Sequence, residues 1–182
     1  DLLIYAERLL ANDITFDGFF IDPYNALRID ISSNSGINTH EYHYEAASEL
    51  LTFSNGNEKA VWLNVHAFTS AQRKMGDDGH VQAPQAPDTE GGGKFVNRAD
   101  NFLTFHRKTM HEDMNIRRSV EFHVRKVREV ETGGEPTPNR APLMFRLSSD
   151  GTQFFNSSGL PVFSPLKIEE RQSEINLEQW GL

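Results

Sequence analysis

The residues that could do chemistry in this chain stand directly after apolar segments. Asp22 follows the run Gly18 to Ile21 and precedes a proline, which favours extended backbone before it. We therefore expect a short strand, buried on both faces, that ends at this aspartate. Open α/β sheets bind ligands at the carboxyl ends of their strands, and Mg²⁺ bound with a nucleotide takes one or two protein oxygens there. The alternative is an ordinary buried strand with a solvated aspartate at its end.

A histidine stands in the matching position on the next apolar segment. Residues 60–66 are β-branched and aromatic, typical of a second buried strand, and they end in His66. If the two strands are parallel, His66 reaches the same sheet edge as Asp22. Two interpretations stay open: a core histidine bonded to a carbonyl, or a sensor of a nucleotide's γ-phosphate.

Two further histidines are spaced as metal ligands can be. His40 and His43 lie near the start of a helix predicted from about His40 to Phe53. We expect a solvated first turn there, because no third ligand is in view. A metal-dependent hydrolase using both histidines with Asp22 and His66 is an alternative, which the absence of HxH and HExxH spacing disfavours.

Composition predicts one globular domain with an uneven charge. The 182 residues carry a net charge of −8, which argues against uniform coating of nucleic acid or anionic membrane, and no cysteine is present for disulfides or thiolate sites. Residues 94–128 nevertheless hold nine Lys or Arg against four acids. This local excess calls for an anionic partner or a shared interface, or forms a solvated basic face.

The segment 67–93 is predicted to be a long loop. It carries Arg73 and Lys74, and then glycines up to Gly93 followed by Lys94. Loops of this length are usually functional or disordered, and consecutive glycines let backbone N–H groups approach a phosphate. The run lacks the GxxxxGK[ST] spacing of a P-loop. A flexible lid is the alternative.

The remaining pattern describes an α/β part followed by antiparallel hairpins. A helix is predicted over 1–12, a third strand over 101–106, a half-exposed alternating strand over 120–125, and further strands at 143–147 and 154–155 after an Asp-Gly turn. We assign 1–163 to the domain and 164–182 to an acidic tail.

These elements occur together in an order that resembles one family. The segments DGFFIDPYN, VWLNVHAF, GGGKFVNRADNFLTFHR and VEFHVRKVREVETGG, followed by PLMFRLSSDGTQFF, are similar to the second half of the RecA-like motor in DnaB-type replicative hexameric helicases. Phage primase-helicases and Twinkle-like helicases are nearest in character. The resemblance covers residues 1–155. It implies an α/β RecA-like sheet of the P-loop NTPase type with flanking helices and a C-terminal antiparallel hairpin.

The resemblance also implies roles for single residues. Asp22 would be the Walker B carboxylate that holds Mg²⁺ through water, and His66 would sense the γ-phosphate of ATP or another NTP. Arg128, with Lys126 beside it, would reach the neighbouring subunit's nucleotide as an arginine finger. A finger used in this way requires a homo-oligomeric ring, in this family a hexamer.

The resemblance further implies single-stranded DNA as the partner. The long loop would line the ring's channel, with Arg73, Lys74, Gly92, Gly93 and Lys94 following the strand. A primase or polymerase is a further partner that the family allows, and no membrane contact is expected. The implied location is the cytoplasm of a bacterial or phage-infected cell.

Part of such a motor is missing from the sequence. The family's P-loop lysine and water-activating glutamate lie upstream of these motifs, and its P-loop strand lies between the strands that would end at His66 and start at Asn101. We therefore expect a fragment, as the start at Asp1 inside a predicted helix also suggests, and no ATP hydrolysis by these residues alone. The alternative function is a non-catalytic RecA-like binding or assembly module.

Overall fold

The structure, a computed structural model, describes residues 2–27, 39–89 and 92–162. The helices are α1 (Leu2–Ala11), α2 (Thr39–Asn57), α3 (Gly93–Arg98), α4 (Met114–Arg118) and α5 (Val130–Gly133). The strands are β1 (Gly18–Ile21), β2 (Ala60–Leu63), β3 (Asn101–His106), β4 (Ser119–Val127), β5 (Leu143–Leu147) and β6 (Phe154–Phe155). The predicted tail at 164–182 and the side chain of His40 lie outside the described residues. No helix in the described part is long and apolar enough to cross a membrane.

β1 and β2 form a two-stranded parallel sheet in which Phe20 pairs with Trp62. Because the two strands run parallel, Asp22 and His66 both follow strands that end at the same edge of the sheet. One face of the sheet packs on α2, where the ring centroids of Phe19 and Phe53 lie 5.8 Å apart. The prediction that β1 is buried on both faces is wrong, because the second face is open in the described part of the chain: Phe20 is 62% exposed and Trp62 is 53% exposed.

The other four strands form an antiparallel sheet in the order β3-β4-β5-β6. The bounds of β3 and β5 match the predicted strands, while β4 is longer than predicted at both ends. Gly151, in the turn before β6, has a φ of 77°, a conformation that favours glycine over other residues. No strand pairing joins this sheet to β1 and β2 among the described residues.

The long segment after β2 is a loop with local order. Its described part, 67–89, contains two short 3₁₀ helices, Ala71–Arg73 and Ala86–Asp88, and isolated bridges pair Met75 with Val81 and Ala67 with Thr89. The second 3₁₀ helix is closed by a capping box between Gln85 and Asp88. The predicted long loop is therefore confirmed for residues 67–89, which contain no α-helix or β-strand, and the cap and the bridges give it local order.

This segment packs on a polar face of the antiparallel sheet. His106 Nε2 lies 2.9 Å from the carbonyl oxygen of Val81, and Arg125 donates to the carbonyl of Pro84 at 3.2 Å. The face lies on the side of β4 that the alternation predicts to be exposed. That prediction fails for His123, which is only 2% exposed. The sequence pattern of β4 does not reveal this cover, because the covering residues lie about forty positions upstream.

The apolar core lies between α2 and α3. Tyr24, Ala47 and Phe95 form its buried cluster. His43 belongs to the same region: it is 4% exposed, and its Nδ1 lies 2.8 Å from the hydroxyl oxygen of Tyr24. The expectation of a solvated first turn is therefore wrong for His43, since α3 and the segment after β1 cover that side of α2.

Candidate functional site: the carboxyl edge of the parallel strands

Asp22 and Asn64 lie opposite each other where the two parallel strands end. Each is the first residue after its strand, and the ladder continues past the strands through a bond from the backbone N–H of Asn64 to the carbonyl of Ile21 at 2.9 Å. The side-chain amide of Asn64 donates to Asp22 Oδ1 at 2.5 Å. Asp22 is exposed, so its carboxylate is oriented by a neutral donor and remains open to solvent.

His66 follows β2 by three residues and is also exposed. Its backbone N–H donates to Oδ1 of Asn25 at 2.8 Å, which ties it to the segment that follows Asp22. The structure therefore brings the two predicted residues to one edge and adds two amides that the sequence analysis missed. Asn64 could have been found by aligning the strands in parallel register, because it then stands beside Asp22.

The donor set at this edge fits a nucleotide-bound magnesium ion. Mg²⁺ in such sites keeps several waters and needs only one or two protein carboxylates beside the phosphates, and Asp22 provides one. The metal-hydrolase alternative is not supported. The described residues contain no group of three or more histidine, cysteine or acidic side chains that could hold a metal ion, and His43 is buried in the core.

Arg128 lies on the surface just after β4. Its Nη1 pairs with Asp100 Oδ1 at 2.5 Å, its Nη2 donates to the carbonyl of Arg98 at 3.3 Å, and its side chain is 46% exposed. An ion pair at this exposure contributes little to stability and exchanges easily for another anion. The guanidinium is thus held at the surface rather than buried in its own core.

Lys126 has a different environment from its neighbour. Its ammonium group donates to the carbonyls of Val96 and Ala99, both at 2.7 Å, and to that of Asn97 at 3.4 Å. These carbonyls lie at the C-terminal end of α3, where the helix leaves acceptors without intrahelical partners. Burial, and then the charge of Arg128, lower the pKa of Lys126. In this structure the lysine anchors α3 to β4.

The five predicted DNA-binding residues are divided between the segment after β2 and the start of α3. Arg73 is exposed at the end of a 3₁₀ helix, whereas Lys74 pairs with Asp88. Burial raises the pKa of Asp88, but hydrogen bonds from Lys74 and from the backbone of Gln85 outweigh it, so the pKa lies below its usual range. Lys74, whose side chain is 55% exposed, thus pairs at the surface with a carboxylate of its own chain.

The predicted glycine loop is the beginning of a helix. Gly92 precedes α3 with a φ of 52°, and Gly93 and Lys94 are the helix's first residues. The Lys94 ammonium lies 5.6 Å from the ring centroid of Tyr44, and Arg98 lies 4.4 Å from the same ring. Gly91, part of the same predicted run, lies outside the described residues.

Comparison with known proteins supports the fold. No protein-family model matches the sequence, and no curated protein matches it either. Among solved structures, 24 chains match. One is described as an ATPase domain, with a TM-score of 0.63 and 13% sequence identity over 84% of this chain and 50% of that one. This chain thus spans about half the length of that solved chain. At this identity the likeness shows the fold alone: the chain shares the α/β fold of an ATPase domain, which confirms the predicted fold at that level.

Proposed function

We propose that this chain is part of the motor domain of an NTP-hydrolysing, DnaB-type helicase that moves along single-stranded DNA as a homo-oligomeric ring. ATP or another NTP, with Mg²⁺, would bind at the carboxyl edge of β1 and β2. The observation that carries the proposal is the placement of Asp22 and His66 after adjacent parallel strands, tied together through Asn64 and Asn25. The likeness to a solved ATPase domain supports the same assignment.

Each residue at this edge has a chemical task in the proposal. Asp22 would hold Mg²⁺ through the ion's water shell, and the ion would supply positive charge against the charge that develops on the phosphates during transfer. His66 would register whether the γ-phosphate is present and would pass that state to the segment that follows it. Asn64 orients the carboxylate without neutralising its charge, because an amide is an uncharged donor.

Arg128 acts on the nucleotide of the neighbouring subunit. Its exposed guanidinium is held by a surface carboxylate that a triphosphate can replace, which suits a group that reaches across an interface. Lys126 supports this arm by fixing β4 to α3. Since the finger and Asp22 would meet only between subunits, the proposal requires a ring.

The rest of the motor domain would cover the open face of the parallel sheet. Phe20 and Trp62 present large apolar surfaces on that face, and burial of such rings is a strong driving force for association. The sequence contains no GxxxxGK[ST] run, so the proposal assigns the P-loop and the water-activating glutamate to another part of the complete protein.

The test mixes two variants of the complete protein. Arg128→Ala should reduce hydrolysis by about 10³- to 10⁵-fold while nucleotide binding is retained. Arg146→Ala, an exposed arginine on β5, is the matched control and should hydrolyse normally. Rings mixed from Arg128→Ala and Asp22→Asn subunits should recover hydrolysis, because some interfaces then combine an intact Asp22 with an intact Arg128. If hydrolysis does not recover in the mixed rings, Arg128 does not act as a finger between subunits.

A non-catalytic RecA-like module is the second candidate, favoured by the absence of a P-loop sequence in these residues. The two functions differ in a simple measurement. The complete protein hydrolyses NTP in the presence of Mg²⁺ if the motor proposal is right, and it binds without turnover if the module is right.

A further inference from the structure

A second basic site lies away from the carboxyl edge of β1 and β2. An open cleft of about 350 Å³ lies between the end of β3, helix α4 and the turn after β5. Its charged and hydroxyl-bearing walls include Arg107, Arg117 and Arg118 on one side and Ser148, Ser149 and Asp150 on the other. We call this the arginine cleft.

Local bonds hold the arginines on one framework. The N-terminus of α4 is capped by Asp113, whose carboxylate accepts the backbone N–H of Asn115 at 2.7 Å. At the other end of the helix, Arg107 Nη2 donates to the carbonyl of Arg117 at 2.9 Å. The helix and the strand end that contacts it thus hold the three arginines around one cleft.

The cleft carries more positive than negative groups. Within residues 2–27, 39–89 and 92–162, none of its three arginines forms a salt bridge, and the buried Nε of Arg117 has no hydrogen-bond partner. This donor is therefore available to an acceptor from outside the chain, either water or an anion. Asp150 is the one carboxylate in the lining, so three positive groups and one negative group leave a formal charge of +2.

Asp150 is engaged in its own turn. Its Oδ1 accepts the hydroxyl of Ser148 and the backbone N–H of Thr152, the latter at 3.2 Å. These bonds lower the pKa of Asp150, and the hydrogen bond from the Ser148 hydroxyl has the largest effect. The carboxylate therefore stays ionised and stabilises its own turn. The exposed Ser149 beside it leaves a hydroxyl group on that wall.

The cleft adjoins the segment that the sequence analysis assigns to DNA. His106, the residue before Arg107, contacts the carbonyl of Val81, and Lys108, the residue after it, pairs with Asp78 at 2.5 Å. The segment after β2 therefore contacts the two residues that flank Arg107 in the chain. The two lysines predicted to bind DNA each have a contact within the chain, Lys74 with Asp88 and Lys94 with the Tyr44 ring.

We propose that the arginine cleft binds phosphodiester groups of single-stranded DNA, a contact that rests on the proposed function and extends it. Guanidinium groups bind phosphate oxygens in bidentate fashion, and the open shape admits a continuous backbone rather than enclosing one ion. The contact carries no base specificity, as a motor that moves over any sequence requires.

The experiment measures binding of a fluorescein-labelled oligothymidylate to the complete protein by anisotropy over a range of salt concentrations. Arg117→Gln/Arg118→Gln should weaken binding on the order of tenfold and should reduce the log–log salt slope by roughly 0.7 for each phosphate that the protein no longer neutralises. Arg118→Gln alone, which leaves Arg117 in place, should give a smaller change of the same kind. Arg146→Gln is the charge-matched control and should leave both quantities unchanged. Thermal melting checks that each variant is folded.

The outcomes separate this contact from the motor itself. Hydrolysis without DNA should be normal in the cleft variants, so unchanged affinity and salt slope with intact hydrolysis overturn the cleft while the motor proposal stands. If the unmodified protein does not hydrolyse NTP but its affinity for DNA still depends on these arginines, the motor proposal is wrong and the proposal of DNA binding at the arginine cleft stands. If the variants lose binding of inorganic phosphate but not of oligothymidylate, the cleft is a free-phosphate site and the DNA proposal is wrong.

Discussion

The two sheets differ in where they place their polar groups. In the parallel sheet, Asp22 and His66 lie beyond the strand ends and are exposed. In the antiparallel sheet, the polar residues of β4 lie within the strand: His123 is 2% exposed, and Lys126 donates to three carbonyls. A polar side chain within a covered strand forms its hydrogen bonds with neighbouring protein groups, whereas one just past the strand's end is free of that cover and can bind a ligand. Arg128, the first residue after β4, resembles Asp22 and His66 in this respect, because it lies past the end of its strand and is exposed.

The largest effect is expected from a comparison of two acidic residues, one at each end of β1. If Asp22 holds the water shell of Mg²⁺ as proposed, Asp22→Asn should reduce NTP hydrolysis by the complete protein on the order of 10³-fold, because several kcal/mol of transition-state stabilisation would be lost. Asp17→Asn changes an exposed acid just before β1 and should leave turnover unchanged. Full hydrolysis by Asp22→Asn would remove this edge as the metal site.

A smaller effect, on stability, is expected from Lys126→Met. The variant leaves three carbonyls at the end of α3 without their charged donor and should lower the free energy of unfolding by about 2 kcal/mol in denaturant titrations. Lys94→Met, a lysine at the exposed start of the same helix, should cost far less. Equal stability of the two variants would mean that Lys126 does not anchor the helix.

The smallest effect concerns pH and His123. Burial lowers the pKa of this histidine, although Glu121, 3.2 Å away, opposes the shift. Between the lowered pKa and the unfolded value near 6.5, the unfolded chain binds a proton that the folded chain does not. Stability is therefore fully present above about pH 6.5 and falls as the pH drops, by at most about 1.4 kcal/mol per pH unit.

Unfolding titrations across pH check this linkage. His123→Gln should remove that part of the pH dependence, and Glu121→Gln should extend the falling range to lower pH because the opposing group is gone. An unchanged slope in His123→Gln would show that protonation of this residue does not limit stability in acid.

Patterns within one segment were predictable, and contacts between segments were not. The bounds of β3 and β5 follow from their apolar runs and flanking turns, and β1 ends before Asp22 as its proline suggests. The burial of His43 and His123 depends on cover from α3 and from residues 67–89, which no local periodicity encodes. The role of Asn64 depends on strand register, and the arginine cleft joins residues from β3, α4 and the turn after β5.

The anchoring of α3 also has a mechanical consequence. Lys126 and Arg128 both hold carbonyls near the end of α3, and the first residue of that helix follows directly on Gly92, at the end of the long segment from β2. In the proposed ring, a pull on the Arg128 guanidinium by the neighbouring subunit would therefore act directly on the C-terminal end of α3. Movement at the subunit interface and movement of this helix would then be coupled.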